Sequence, residues 1–264
     1  MAEPSVSPAD IVAGLRGLGI GRGDRLFVHS SLSAFGHVEG GAESVCAALL
    51  DAVGPDGTVA VPTFTWSANH GKETVIFDVA NDRCEVGRIP ETLRRLPGAS
   101  RSEHVCHSVA AIGSLSAKLM GDGVHPFGRG SSMYALYEND FRYLFLGCGF
   151  SSCTALHTVE ELAAIPYRYY RNFEGSTVIR PDGSHRGSRA KEFLRYLPFQ
   201  NDFASMEGVY RARGALREGR IGAATVLLSS ARLIVDIGLE LVRRDPGHLL
   251  TEASRVYLRS WTQR

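Results

Sequence analysis

RLFVHSSLSAFGHVEGGAESVCAALLDAVGPDGTVAVP, residues 25–62, alternates two chain periods, and that alternation decides the fold. Residues 25–29 form a short apolar run suited to a buried strand. The run breaks into small and polar residues from Ser30 to Gly36. Val45, Leu49 and Leu50 then mark one face of a helix over 41–53, which Gly54-Pro55-Asp56-Gly57 closes. Thr58 to Pro62 is a second apolar strand. Such strand–helix–strand units favour a parallel sheet covered on both faces.

Working outward, Ser7-Pro8-Ala9-Asp10 offers a cap with Pro at the first helical position, and Ile11, Leu15 and Leu18 share the face that follows. Downstream, residues 67–88 read as a long polar loop, 89–96 as a helix, 107–113 as a strand and 115–120 as a short helix. A helix near 134–137 precedes a strong strand at 141–147, whose small-residue exit turns into another helix. Residues 167–173 and 176–179 are strand-like, with a hairpin turn at Pro181-Asp182-Gly183-Ser184. The tail predicts helices over 190–197, 204–219 and 245–255, with shorter helices at 222–226 and 233–237. The expected architecture is α/β: a central mixed, largely parallel sheet flanked by helices, with a smaller C-terminal strand and helix portion, all in one domain over 1–264. Several strands end in polar loops, and in open α/β sheets ligands bind at the carboxyl ends of strands.

Composition narrows the function classes. An apolar content of 44% supplies a core, and 29 Lys/Arg against 28 Asp/Glu leave a net charge of +1, too little cationic field to expect nucleic acid as a partner. The chain shows neither a secretory leader pattern nor an apolar run of the roughly 18 residues a membrane span needs, so the expected compartment is the cytoplasm. Cys46, Cys84, Cys106, Cys148 and Cys153 are scattered and read as free thiols rather than a disulfide or zinc framework.

His157 and Glu160 stand three apart on a predicted helix, a spacing that puts both on one face. A carboxylate accepting one ring N–H fixes the tautomer and frees the other nitrogen as a base. A surface His beside an idle Glu has the same spacing. His104 and His107 invite a metal reading, but no further ligand pair is suitably spaced and no metal is expected. His107 and Ser108 fit better as a polar pair at a strand mouth. Cys153, one helical turn before His157, is a candidate nucleophile if its thiol is activated and otherwise a small buried residue. The cluster from Gly36 to Gly41 could present amides to a phosphate at the next helix start. The dinucleotide, P-loop and G-x-S-x-G patterns are absent.

In order along the chain, the segment from Val28 to Thr65, RSEHVCHSVAAIG from Arg101, HPFGRGSS from His125, LFLGCGFSSCTALHTVEE from Leu144 and IGAATVLLSSARLIVD from Ile221 resemble the aminoglycoside 3-N-acetyltransferase family, a group distinct from the GNAT acetyltransferases. The family signature T-x-L-H-x-x-E falls on Thr154, Leu156, His157 and Glu160. The resemblance implies acetyl-CoA, or another acyl thioester, as co-substrate and direct transfer to a small-molecule amine in a ternary complex. His157 would be the base and Glu160 its orienting partner. Ser30 and Ser31 would line the pantetheine arm, with Thr63, His107 and Ser108 near the thioester. An acyl carrier protein is an alternative donor and a homodimer a candidate assembly. A covalent route through Cys153 and a non-catalytic binder of CoA are the competing readings. Many antibiotic-modifying members read Asp-Ser-Asn-Thr before the signature His; this chain reads Ser151-Ser152-Cys153-Thr154 and lacks that carboxylate.

Overall fold

The computed structural model describes residues 5–261. A seven-stranded sheet runs in the order Arg217–Ile221, Ala224–Ser230, Arg142–Leu146, Arg25–Ser30, Thr58–Pro62, Val109–Gly113, Ser100–Arg101. Only the pairings of Arg25–Ser30 with its two neighbours are parallel; the other four are antiparallel. The sheet is therefore mixed, and the expectation of a largely parallel one is corrected. Two of the antiparallel pairings join strands linked directly, Ser100–Arg101 with Val109–Gly113 and Arg217–Ile221 with Ala224–Ser230; the other two join strands far apart in the chain, a pairing that a strand–helix–strand reading does not anticipate.

The central strands are apolar throughout, yet a period of two is hidden in them. Leu26, Val28, Val59, Val61, Leu144 and Leu146 face one core, which is covered by the helices Pro8–Gly17, Gly41–Val53 and Arg88–Leu93. Phe27, Ala60, Tyr143 and Phe145 face the other, covered by Ser132–Glu138, Ala155–Leu162, Met206–Ala212 and Ala231–Arg244. Aliphatic side chains thus fill one layer, and the larger aromatic ones fill the layer beneath the signature helix. The first helix starts as read, with Ser7 and Asp10 forming a reciprocal capping box.

Other departures lie at the edges and toward the C-terminus. Residues 67–88 include the end of a short helix, Trp66–Asn69, and a strand, Ile76–Asp78, which joins Thr177–Ile179 and His185–Gly187 in a small sheet. The predicted helix at 190–197 is instead the strand Lys191–Arg195, paired antiparallel with Arg168–Asn172. The helix expected over 204–219 stops at Ala212, and residues 233–237 lie inside the 14-residue helix Ala231–Arg244. Within the C-terminal strand and helix portion, residues 217–244 complete the main sheet and its second layer.

The polar ends of Arg25–Ser30, Thr58–Pro62 and Arg142–Leu146 lie on one side of the sheet because these three strands run parallel. Gly147, φ +70°, begins the turn after the last of them, and a Cβ there would sit 2.4 Å from Ala34 Cβ and 3.1 Å from the Ser31 carbonyl oxygen. Left-handed backbone strain and overpacking then act together. Gly147→Ala is expected to cost about 2–4 kcal/mol, read as a lower urea midpoint at unchanged slope.

Candidate active site

His157 projects from the helix Ala155–Leu162, whose other face packs into the aromatic core. Its Nδ1–H donates to Glu160 Oε2 at 2.6 Å. Glu160 is wholly buried, and each of its oxygens has two partners. Oε2 also lies 2.7 Å from Arg168 Nε, while Oε1 accepts from Asn201 Nδ2 at 2.6 Å and from the Tyr167 hydroxyl at 3.0 Å. Arg168 Nη2 in turn donates to Asn201 Oδ1 at 2.8 Å and Nη1 to the Phe193 carbonyl at 3.0 Å.

Burial opposes ionisation of Glu160, but the Arg168 charge and the hydrogen bonds from His157 and Asn201 outweigh it and hold the carboxyl at about 2. For His157, burial comes first and the nearby Arg168 charge second; together they outweigh the attraction of Glu160 and hold the imidazole below its ordinary 6.5. The ring is therefore neutral near pH 7. With Nδ1–H committed to the carboxylate, Nε2 keeps its lone pair, the protonation state a general base requires. Phe127 and Phe203, each 4.8 Å away between ring centroids, fix the imidazole plane.

A cleft of about 570 Å³ opens beside His157, and Phe64, Trp66, His107, Phe127, Thr154 and Phe193 form much of its lining. A second hollow of about 570 Å³ lies over the ends of the strands, with Ser30, Ser31, His37, Gly41 and Arg88 among its walls. A third adjoins both: it shares Gly87 and Arg88 with the second and Glu85 with the cleft.

The sequence candidates divide between these places. Ser30 and Ser31 line the strand-end hollow; Ser30 Oγ is buried with no hydrogen-bond partner among the described residues. His107 lines the cleft beside His157, with Phe127 between the two rings. Burial, then the neighbouring His104, His157 and Arg168, keep His107 neutral. Thr63 and Ser108 are wholly buried and turned elsewhere: their hydroxyls lie 2.9 Å apart, Ser108 Oγ–H donates to the Thr63 carbonyl at 2.8 Å, and Arg101 Nε approaches both hydroxyls. They brace the entry of the strand Val109–Gly113 and line neither hollow. His104 braces the same loop, accepting at Nδ1 from the amides of Cys106 and His107 and donating from Nε2 to the Lys191 carbonyl at 3.1 Å. Cys153 is wholly buried in the aromatic core, and burial pushes its thiol up to about 12, the setting of a packed side chain rather than of a thiolate nucleophile.

Arg168, Asn201 and Tyr167, which hold Glu160, were not legible as site residues. The antiparallel pair Arg168–Asn172 with Lys191–Arg195 brings Arg168 and Arg195 opposite one another, and an isolated bridge from Asn201 to Leu250 secures the next segment. A carboxylate three residues after a histidine signals a need for buried donors, but no spacing says which.

The aminoglycoside 3-N-acetyltransferase family model matches residues 27–243. Aminoglycoside N(3)-acetyltransferase VII of Streptomyces paromomycinus is 32% identical, covering 93% of this chain and 94% of that protein. Aminoglycoside N(3)-acetyltransferase III of Acinetobacter baumannii is also 32% identical, covering 90% and 91%. Among solved structures, AAC-IIIb in a binary complex with CoASH superposes with a TM-score of 0.80 at 29% identity, covering 91% of this chain and 98% of that one. A histidine-to-alanine mutant of aminoglycoside acetyltransferase AAC(3)-IVa in complex with a gentamicin gives 0.79 at 28% identity, covering 95% and 93%. The chain is thus an enzyme of the N-acetyltransferase class. It belongs to the aminoglycoside 3-N-acetyltransferase family.

Removing Glu160 leaves Arg168 buried without its counter-ion, so Glu160→Ala is expected to cost about 3–5 kcal/mol in urea unfolding. Because folding lowers the Glu160 pKa from 4.5 to about 2, its stabilising contribution is complete above 4.5 and is lost as pH falls toward 2. A stability profile over that window should slope downward for the wild type, and the slope should be shallower in the variant.

Proposed function

We propose that this chain transfers an acetyl group from acetyl-CoA to a primary amine of an aminoglycoside-like or other small natural-product acceptor, both substrates being bound together, with His157 as general base. The observation that carries this reading is the neutral imidazole whose Nδ1–H is spent on a buried carboxylate beside an open cleft. The amine nitrogen attacks the thioester carbonyl carbon while His157 Nε2 takes its proton. As the carbon–sulfur bond breaks, the same proton serves the departing CoA sulfur. Holding the two substrates in line supplies the proximity contribution, and neutral His107 offers a polar partner in the cleft for a substrate oxygen.

The strand-end hollow suits the donor. The helix Gly41–Val53 begins at Gly40 with no side-chain cap, so its first amides are free for an anion, and Arg88 adds a cation to the same hollow. Ser30 supplies a buried hydroxyl lacking a partner among the described residues. The solved relative bound to CoASH supports CoA as the carrier of the acyl group, and the relative bound to a gentamicin supports a small-molecule amine as acceptor.

His157→Ala is expected to lower kcat/KM by about 10²–10⁴, the usual worth of a positioned base, while CoA still binds in calorimetry. Thiol release from acetyl-CoA across an amine panel measures the loss, and full activity in the variant would remove the imidazole from the mechanism. For the wild type, the acid limb of kcat/KM should fall below pH 6.5, since folding lowers the His157 pKa and keeps the base form present at lower pH.

A further inference from the structure

The cleft beside His157 is short of negative charge. Arg168 and Arg195 both line it, against a single carboxylate, Glu85, at the exposed rim. The nearby buried acids are spent: Glu160 on His157 and Arg168, Glu192 on His70 and Arg171 at 2.5 Å each. The signature loop adds none, reading Ser151-Ser152-Cys153.

Arg195 sits directly opposite Arg168 across the two-stranded ladder. Like charges in that register repel unless something offsets them. Glu160 touches Arg168 directly and reaches Arg195 only through its field. Arg195 has only a neutral oxygen, Asn201 Oδ1 at 2.6 Å, and no carboxylate among the described residues pairs with it. Its Nε is shielded from water with no hydrogen-bond partner among those residues. A partly buried guanidinium left in this state favours an anion from outside, and charge pairs gain strength where water is excluded. A multiply protonated amine would instead meet Arg195, which has no paired carboxylate among the described residues, and one rim carboxylate, since Arg168 is already neutralised by Glu160.

We propose that the acceptor is an amine that also bears an anionic oxyacid group, a carboxylate or a phosphate, with Arg195 as its counter-ion and specificity determinant. This rests on the reading of His157 as the base for amine acetylation, and the two can fail separately. Glucosamine, glucosamine 6-phosphate, 2-amino-2-deoxyglucuronate and gentamicin are offered with acetyl-CoA, and thiol release is followed. At least one anionic sugar is expected to exceed both glucosamine and gentamicin in kcat/KM by about tenfold or more, and which one does so tells phosphate from carboxylate. Arg195→Gln should erase that preference mainly through KM, and Arg195→Lys should retain most of it. If Arg195 merely supported Asn201, Arg195→Gln would lower kcat for the anionic and neutral sugars in parallel, and that result overturns the proposal. Preference for gentamicin overturns it too, while leaving acetyl transfer intact. Conversely, if no amine is turned over but N-acetylglucosamine 6-phosphate binds in calorimetry and Arg195→Gln abolishes the binding, the anion site stands and the base assignment falls. No turnover and no such binding reject both.

Discussion

A buried carboxylate with four partners is the constraint around which this site is built. Glu160 would be a liability in an apolar helix–sheet interface, where an unpaired charge is costly. His157, Arg168, Tyr167 and Asn201 remove that cost from three separate segments of chain. Each of them is oriented in the process. The imidazole receives a fixed tautomer, Arg168 is pinned against the Phe193 carbonyl, and the segment carrying Asn201 is tied to the helix that carries the base. Satisfying one buried charge therefore organises one side of the cleft.

The sheet makes the opposite contribution, which is position. Three parallel central strands bring the Ser30, Thr63 and Gly147 ends to one edge, and the antiparallel strand beginning at Val109 returns His107 to the same side. Helix starts and strand ends that are distant in sequence thus frame a continuous set of hollows: one has an uncapped helix start, the other an imidazole. Thr63 and Ser108 show how far position alone can mislead. They lie at the right edge, but Arg101 and their own mutual hydrogen bond have already used their polar atoms.

Much of the first half was readable because its signals are local. The capping box at Ser7, the amphipathic run ending at Gly54 and the apolar run before Gly147 each sit within a few residues, and each forms where expected. The second half was harder because its strands are short, charged or half exposed. Lys191–Arg195 contains Glu192 and Arg195, charged residues that read as a helix surface until a partner strand opposite them is known. Likewise, the balance of parallel and antiparallel pairing depends on which strands become neighbours, and apolar content does not carry that information.

By itself the chain determined the α/β class, the pairing of His157 with Glu160 and the family to which it belongs, since each rests on residue types at short, fixed spacing or on their order. Only the tertiary structure decided that Cys153 is sealed in a core, that Ser108 is spent on Thr63, and that Arg195 faces Arg168 with one buried carboxylate between them to serve two cations. The reason is physical. A side chain's charge state and availability are set by what surrounds it, and those neighbours come from segments tens of residues away that the fold alone brings together.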